Sequence, residues 1–296
     1  MKKFGLIFDS SCGLTRQEAE SKGFGFVPLI ININGQQFKA GENISPEDLY
    51  SRMNDREVKV STSTPVAEDI MSEIDKMLET HEQVIFIGMS KKLSGTTNQV
   101  RLIAEGEERF KGRVHVADSQ YSSPWTKLLI DQFEAVVNAY DTFEEIEAAL
   151  VEQNDNMIGL LSPGDIWWFY KGGRISKTQY LAGSLLKVIP ILTVKDGMID
   201  QSLTEKARTK SKAVVKMIDV FERYVQEKRD QGKTVRFGVL DAGDRGLTDL
   251  VISVAKERFG VEASDFVVMP LSAEQTAHMG PNSFGISMYV DFKEFK

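Results

Sequence analysis

Short runs of consecutive apolar residues alternate along this chain with longer stretches in which apolar positions return at helical spacing. The runs at 4–9 (FGLIFD), 84–88 (VIFIG), 113–117 (RVHVA), 157–161, 235–241 and 265–271 predict buried strands. Helical periodicity predicts helices near 17–22, 45–54, 65–80, 124–140, 142–154, 178–187, 213–228 and 246–258, and another opening near Thr96. Pro46 and Pro65, each followed by acidic residues, mark two of the starts. Residues 24–34 predict one further strand, which the Asn34-Gly35 turn folds into an antiparallel ribbon. A strand at 188–194, with Pro190 near its beginning, is turned back by the hairpin signal at 196–200. An alternating run after Gly280-Pro281 predicts a closing strand. Strands alternating with helices imply an α/β fold of parallel or mixed sheets flanked by helices. The change of domain is expected near the strand at 157–161, giving an N-terminal α/β domain over 1–160 and a C-terminal one over 161–296.

Composition narrows the function classes. The chain has 296 residues, of which 42% are hydrophobic and 27% charged, an ordinary globular balance with enough apolar material for a sizeable core. A formal net charge of -7 argues against nucleic acid, whose affinity comes from lysine and arginine neutralising phosphates. No apolar run approaches the roughly 20 residues of a membrane helix, so at most a transient contact with a membrane surface is expected. The opening MKKFGLIFDSS reaches Asp9 too soon for a signal-peptide apolar region, and a cytoplasmic protein is expected. A single cysteine and three scattered histidines, His81, His115 and His278, predict neither a disulfide nor a metal site.

The chemistry concentrates at strand ends. After the strand at 84–88, Ser94, Gly95, Thr96 and Thr97 open a helix whose unpaired amides and dipole suit an anion. Ser94 as a simple helix cap is the alternative. A second hydroxyl-rich turn, STSTP at 61–65, lies about one βα unit earlier, so parallel neighbouring strands would bring both sets of hydroxyls to one sheet edge. Asp9 ends the first strand, where it orients nearby hydroxyls or caps a turn. In IWWFYKGGRIS, Gly172 and Gly173 end an aromatic helix before Arg174, which is either a functional cation or a solvated helix-end charge. Lys206, Arg208, Lys210 and Lys212 form a basic run. His278 by itself reads as structural. Ser94, His278 and Asp9 could form a nucleophilic relay for an acyl-ester hydrolase, although Gly88-Met89-Ser90-Lys91-Lys92 lacks the final glycine of a nucleophile elbow. The same amides and cations could hold a small phosphorylated ligand.

DSS at 9–11, TSTP at 62–65, LSGT at 93–96, DS at 118–119, KGGRIS at 171–176 and AHMGP at 277–281 together resemble the DegV family in order and spacing over essentially the whole chain. That resemblance implies a lipid-binding carrier without an enzymatic activity or cofactor of its own. It would bury one long-chain fatty acid at the domain interface and present the carboxylate to a separate fatty acid kinase, which makes the acyl phosphate for phospholipid metabolism. By motif, Thr62 and Ser94 are implied to bind the carboxylate, with Ser63, Gly95, Thr96 and His278 in support and Arg174 and Arg208 facing the partner or phosphate. Departures from the family pattern are Pro124 and Trp125 after the DS motif, Ile189 where a lysine commonly stands, and GPNSFG after His278. The first two bear on pocket volume.

Overall fold

The computed structural model describes residues 2–290 except Ser122, Pro124 and Asp196, and of residues 200–204 its backbone alone. Pro124 and the first residue of the hairpin signal at 196–200 thus lie outside the described residues. In chain order the strands and helices are β1 (Lys2–Asp9), α1 (Arg16–Ser21), β2 (Gly25–Val27), β3 (Ile30–Ile33), β4 (Gln36–Lys39), α2 (Pro46–Arg52), β5 (Val60–Ser63), α3 (Ala67–Leu78), β6 (His81–Gly88), α4 (Thr96–Gly106), β7 (Val114–Asp118), α5 (Trp125–Ala139) and α6 (Phe143–Asp155). The second half continues with β8 (Met157–Ser162), α7 (Ile166–Lys171), α8 (Lys177–Leu186), β9 (Ile189–Lys195), β10 (Met198–Ala207), α9 (Lys210–Asp230), β11 (Val235–Asp241), α10 (Arg245–Phe259), β12 (Phe266–Pro270), α11 (Ala273–Met279) and β13 (Phe284–Val290).

These elements build three sheets. The first is parallel, in the order β2-β1-β6-β7, and the second has six strands in the order β10-β9-β8-β13-β11-β12. The second is mixed: β11 runs parallel to β12 but antiparallel to β13. Consecutive apolar residues in β1 and β6 follow from burial on both faces. Ile7, Val84 and Phe86 pack with Ile70, Ile74 and Val100 of α3 and α4, whereas Leu6, Phe8, Ile85 and Ile87 face Leu129 and Phe133 of α5. That second core continues through Trp125 into Met157, Leu161 and Val194 of the six-stranded sheet. Helices α5 and α6 therefore form a layer shared by both sheets. The outer face of the six-stranded sheet is covered by α9 and α10 through Phe221, Val251 and Phe259. Its first strand in sequence, β8, begins at Met157, so a division by sheet membership falls just before that residue.

Two local expectations are corrected. The strand expected over 24–34 is broken at Pro28-Leu29 into β2, which joins the parallel sheet, and β3, which pairs with β4 and β5. Proline has no N–H for a ladder bond, so pairing stops there. Strand β5 also pairs antiparallel with β3, with Thr62 opposite Ile31, and is not a parallel neighbour of β6. The two hydroxyl turns therefore come from different sheets. The small β4-β3-β5 sheet packs through Ile31 and Ile33 against Trp168 of α7 and Ala273 and Ala277 of α11, which places β5 against the C-terminal half.

Candidate functional site

Strand β6 ends at Gly88 and the chain turns through Ser90, Leu93 and Ser94 into α4. The turn is held from three sides. Asp9 accepts the Met89 N–H at 2.9 Å, the Thr97 hydroxyl donates to the Met89 carbonyl at 2.7 Å, and the Ser90 hydroxyl donates to the Gly197 carbonyl at 2.6 Å. Gly95 is the residue that caps α4, with ordinary helical dihedrals of φ -77 and ψ -7 and no side-chain bond. A Cβ there would meet only Thr64 Cγ2 at 3.6 Å, so Gly95 leaves open backbone without being sterically required. Ser94 Oγ lies 3.0 Å from Thr96 Oγ1 and accepts the Thr96 N–H at 3.2 Å. Thr96 is fully buried behind it. Gln99 donates to the Pro65 carbonyl at 3.1 Å, which ties the beginning of α4 to the end of β5.

From the other half, α11 supplies His278. Its Nε2 is 2.9 Å from Thr62 Oγ1, while Nδ1 is buried without a hydrogen-bond partner among the described residues. Desolvation, aided by the nearby Arg174 charge, pushes the imidazole down to about 3, so the ring is neutral at physiological pH. A Cβ on Gly172 would fall on the His278 ring, and Gly172 has an ordinary φ of -75. Gly173 instead has a left-handed φ of 73 with open space around it. The two glycines serve different needs, close packing and chain reversal. Gly172→Ala is expected to lose about 1–3 kcal/mol through overpacking and to displace His278 from Thr62. Thermal melts and the imidazole NMR signals read both effects, and unmoved His278 resonances would contradict the packing argument.

Thr62, Ser63, Ser94, Gly95, Arg174 and His278 all line one cavity of about 270 Å³. Thr96 and Arg208 do not. Arg208 is exposed just after β10, whose Ala207 pairs with Ile189, whereas the cavity receives Val194 and Ile199 from the other end of that hairpin. The Arg174 guanidinium donates to the Gly172 carbonyl at 2.6 Å, and burial lowers its proton affinity. Most of the remaining wall is apolar, including Leu29, Met89, Leu93, Leu161 and Phe169. Trp125 is part of it and is almost fully buried; Gly159 makes room for the indole, since a Cβ there would lie 2.5 Å from Trp125 Cζ2. Ile189 packs instead on the far side of its sheet. Of those two departures, only Trp125 bears on the cavity.

A Ser–His–Asp relay is not assembled. Ser94 bonds Thr96, His278 bonds Thr62, and Asp9 bonds the Ser11 hydroxyl, the Ser11 N–H at 3.1 Å and the Met89 N–H. The described residues contain no cluster of metal-ligating side chains and no helix long and apolar enough to cross a membrane. Sequence reasoning missed Glu274 and Gln275, which also line the cavity. Glu274 precedes His278 by one helical turn, so the spacing places both on one face of α11 once that helix is known.

The chain is similar to known proteins at the level of family, sequence and fold. A family model described as an uncharacterised protein of the DegV family matches residues 3–291. A DegV domain-containing protein of Caldanaerobacter subterraneus is 29% identical over 220 residues, covering 74% of this chain and 76% of that one. One from Listeria innocua is 26% identical over 293 residues, covering 98% and 100%. Among solved structures, a DegV family protein from Thermus thermophilus, described as fatty acid binding, has 26% identity and a TM-score of 0.82, covering 97% of this chain and 99% of that one. A stearic acid-binding protein from Eubacterium ventriosum shares the fold at a TM-score of 0.84 and 22% identity, covering 99% and 100%.

Proposed function

This chain belongs to the DegV family, and from that premise we propose that it binds one long-chain fatty acid and presents the carboxylate to a separate kinase for conversion to an acyl phosphate. The observation that carries the reading is the make-up of one cavity, in which Thr62, Ser94, Arg174 and neutral His278 share walls otherwise dominated by apolar side chains. An anion removed from water costs several kcal/mol unless donors replace its hydration. Two hydroxyls and a guanidinium are suitable donors, and each hydrogen bond to the charged group contributes about 1.5–3 kcal/mol. Thr62 and Ser94 take the carboxylate, with Ser63, Gly95 and His278 around it and Thr96 orienting Ser94 from behind. The tail binds by burial. A sixteen-carbon chain at about 0.8 kcal/mol per methylene gives roughly 12 kcal/mol gross, before the loss of ligand freedom is subtracted.

Arg174 lies at the cavity and Arg208 on the exposed surface, and both are assigned to the partner or to the phosphoryl group it delivers. No chemistry on this chain is needed for that step, and the role is that of a cytoplasmic carrier in phospholipid metabolism. Transient contact with a membrane surface fits α8, which buries none of its residues and exposes Leu181, Leu185 and Leu186 between Lys177 and Lys187.

Protein purified without added lipid, denatured and extracted, is expected to yield about one long-chain fatty acid per chain by mass spectrometry. Absence of that acid, together with no uptake of labelled palmitate or oleate, would overturn the reading. Turnover of a nitrophenyl ester abolished by Ser94→Ala would replace it with the hydrolase.

A further inference from the structure

The polar groups of the main cavity reach it from four separate places: Thr62 from β5, Ser94 from the loop before α4, Arg174 from beyond α7 and His278 from α11. The apolar lining has a common origin. Leu161, Phe169, Val194, Met279 and Trp125 all belong to the core shared by the two large sheets, so a tail anchored at the polar groups runs into that core. Strand β8 shows where it must stop. Met157, Gly159 and Leu161 alternate with Ile158 and Leu160 and face this core, yet of the three only Leu161 lines the cavity. Over Gly159 stands the indole of Trp125.

The fit is close. A Cβ on Gly159 would lie 2.5 Å from Trp125 Cζ2, 2.6 Å from Cε2 and 3.0 Å from Cη2, so the six-membered ring fills the side-chain space that β8 leaves empty there. Small residues continue across the sheet: Gly159 is opposite Ser287 on β13, and Ser287 is opposite Gly238 on β11, where a Cβ would lie 2.3 Å from Leu128 Cδ1. Helix α5 therefore lies low on the six-stranded sheet. Of its residues, Trp125 alone lines the cavity. At 2% exposure the indole is packed on its remaining sides, and a close-packed interior leaves a rigid bicyclic ring no free space into which to swing.

We propose that Trp125 sets the length of acyl chain this protein accepts, its indole being the end wall against which the terminal methyl stops. This rests on the fatty-acid reading above and adds the residue that determines its specificity. Up to the wall, each further methylene buried raises affinity about fourfold. Beyond it, an added methylene has to fold the tail back or displace a close-packed ring, and the gain ends.

Competition against labelled palmitate on delipidated protein should compare saturated acids from decanoic to eicosanoic for the wild type, Trp125→Ala, Trp125→Phe and Gly159→Ala. Wild-type affinity is expected to climb about fourfold per methylene to a maximum and then to level off or fall. Trp125→Ala should move that maximum by about two carbons or more toward longer acids, and Trp125→Phe by less in the same direction. Gly159→Ala, which pushes the indole off β8 and into the cavity, should move it toward shorter ones. All three variants keep Thr62 and Ser94, so each should still prefer an acid to its methyl ester. If Trp125→Ala does not fold, the opposite shifts of Trp125→Phe and Gly159→Ala decide. A maximum at the same acid in the wild type and in every folded variant overturns this inference and leaves the carrier reading standing. Failure of every acid to bind the wild type overturns both.

Discussion

Thr62→Ala combined with Ser94→Ala is expected to weaken fatty-acid binding by two to four orders of magnitude. Two hydroxyl-to-carboxylate hydrogen bonds at about 1.5–3 kcal/mol each sum to about 3–6 kcal/mol, and each 1.4 kcal/mol is tenfold in affinity. The methyl ester supplies the control. It retains the tail but lacks the charge, so the wild type should discriminate strongly between acid and ester and the double variant should not. Both positions tolerate truncation of a small side chain, since Thr62 is half-buried near the end of β5 and Ser94 sits in a loop. Thr62→Ala also releases His278 Nε2 from its hydrogen bond, so the two single variants need not sum to the double. Calorimetry on delipidated protein measures the affinities, and a loss of less than threefold in the double variant would remove both hydroxyls from the site.

The second large effect concerns stability and pH. Burial raises Glu274 from near 4.5 to about 7 and Asp9 from near 3.8 to about 6. For an acid displaced upward, the folded state holds its proton longer than the unfolded one. The related stability is complete below the unfolded value and is lost as pH climbs through the folded value. Glu274→Gln removes one such group. The variant's unfolding free energy minus that of the wild type is expected to rise by roughly 3 kcal/mol between about pH 4.5 and pH 8, and to level off on either side. His278 runs the opposite way, its neutral form being favoured by folding from about 6.5 down to about 3, but it is common to both proteins and cancels to first order in the difference. Urea titrations at several pH values measure the trend, and a difference independent of pH would exclude a buried ionisable Glu274.

Much of this architecture was legible in the chain because burial on two faces leaves a local signature. The runs in β1, β6 and β11 had to be strands of covered sheets, and the hydroxyl turn after β6 was visible as a change from apolar to polar residues before a helical period. What could not be read was long-range pairing. The segment 58–64 looks like any strand preceding a helix, and only its ladder to β3 shows that it belongs to a different sheet from β6. Thr62 and Ser94 nevertheless line one cavity, by packing of the small sheet against α7 and α11 instead of by adjacency along one sheet edge. Glu274 was hidden for another reason: AEQTAHM is equally compatible with a solvated helix, in which a glutamate is unremarked. Its neighbours are Ser10 in the turn after β1, distant in sequence, and Ser272 just before α11, which a helical pattern does not register.

Helices α5 and α6 touch both large sheets, with Phe133 stacked 6.2 Å from Phe8 on one side and Trp125 filling the notch at Gly159 on the other. Severing the chain between Asp155 and Met157 would therefore not yield two autonomous modules, since the first fragment would carry a greasy flank stripped of its cover and the second would lose the roof over one face of its sheet. Cooperative melting in a single step, and mutual rescue only when both fragments are refolded together, are what such an arrangement entails.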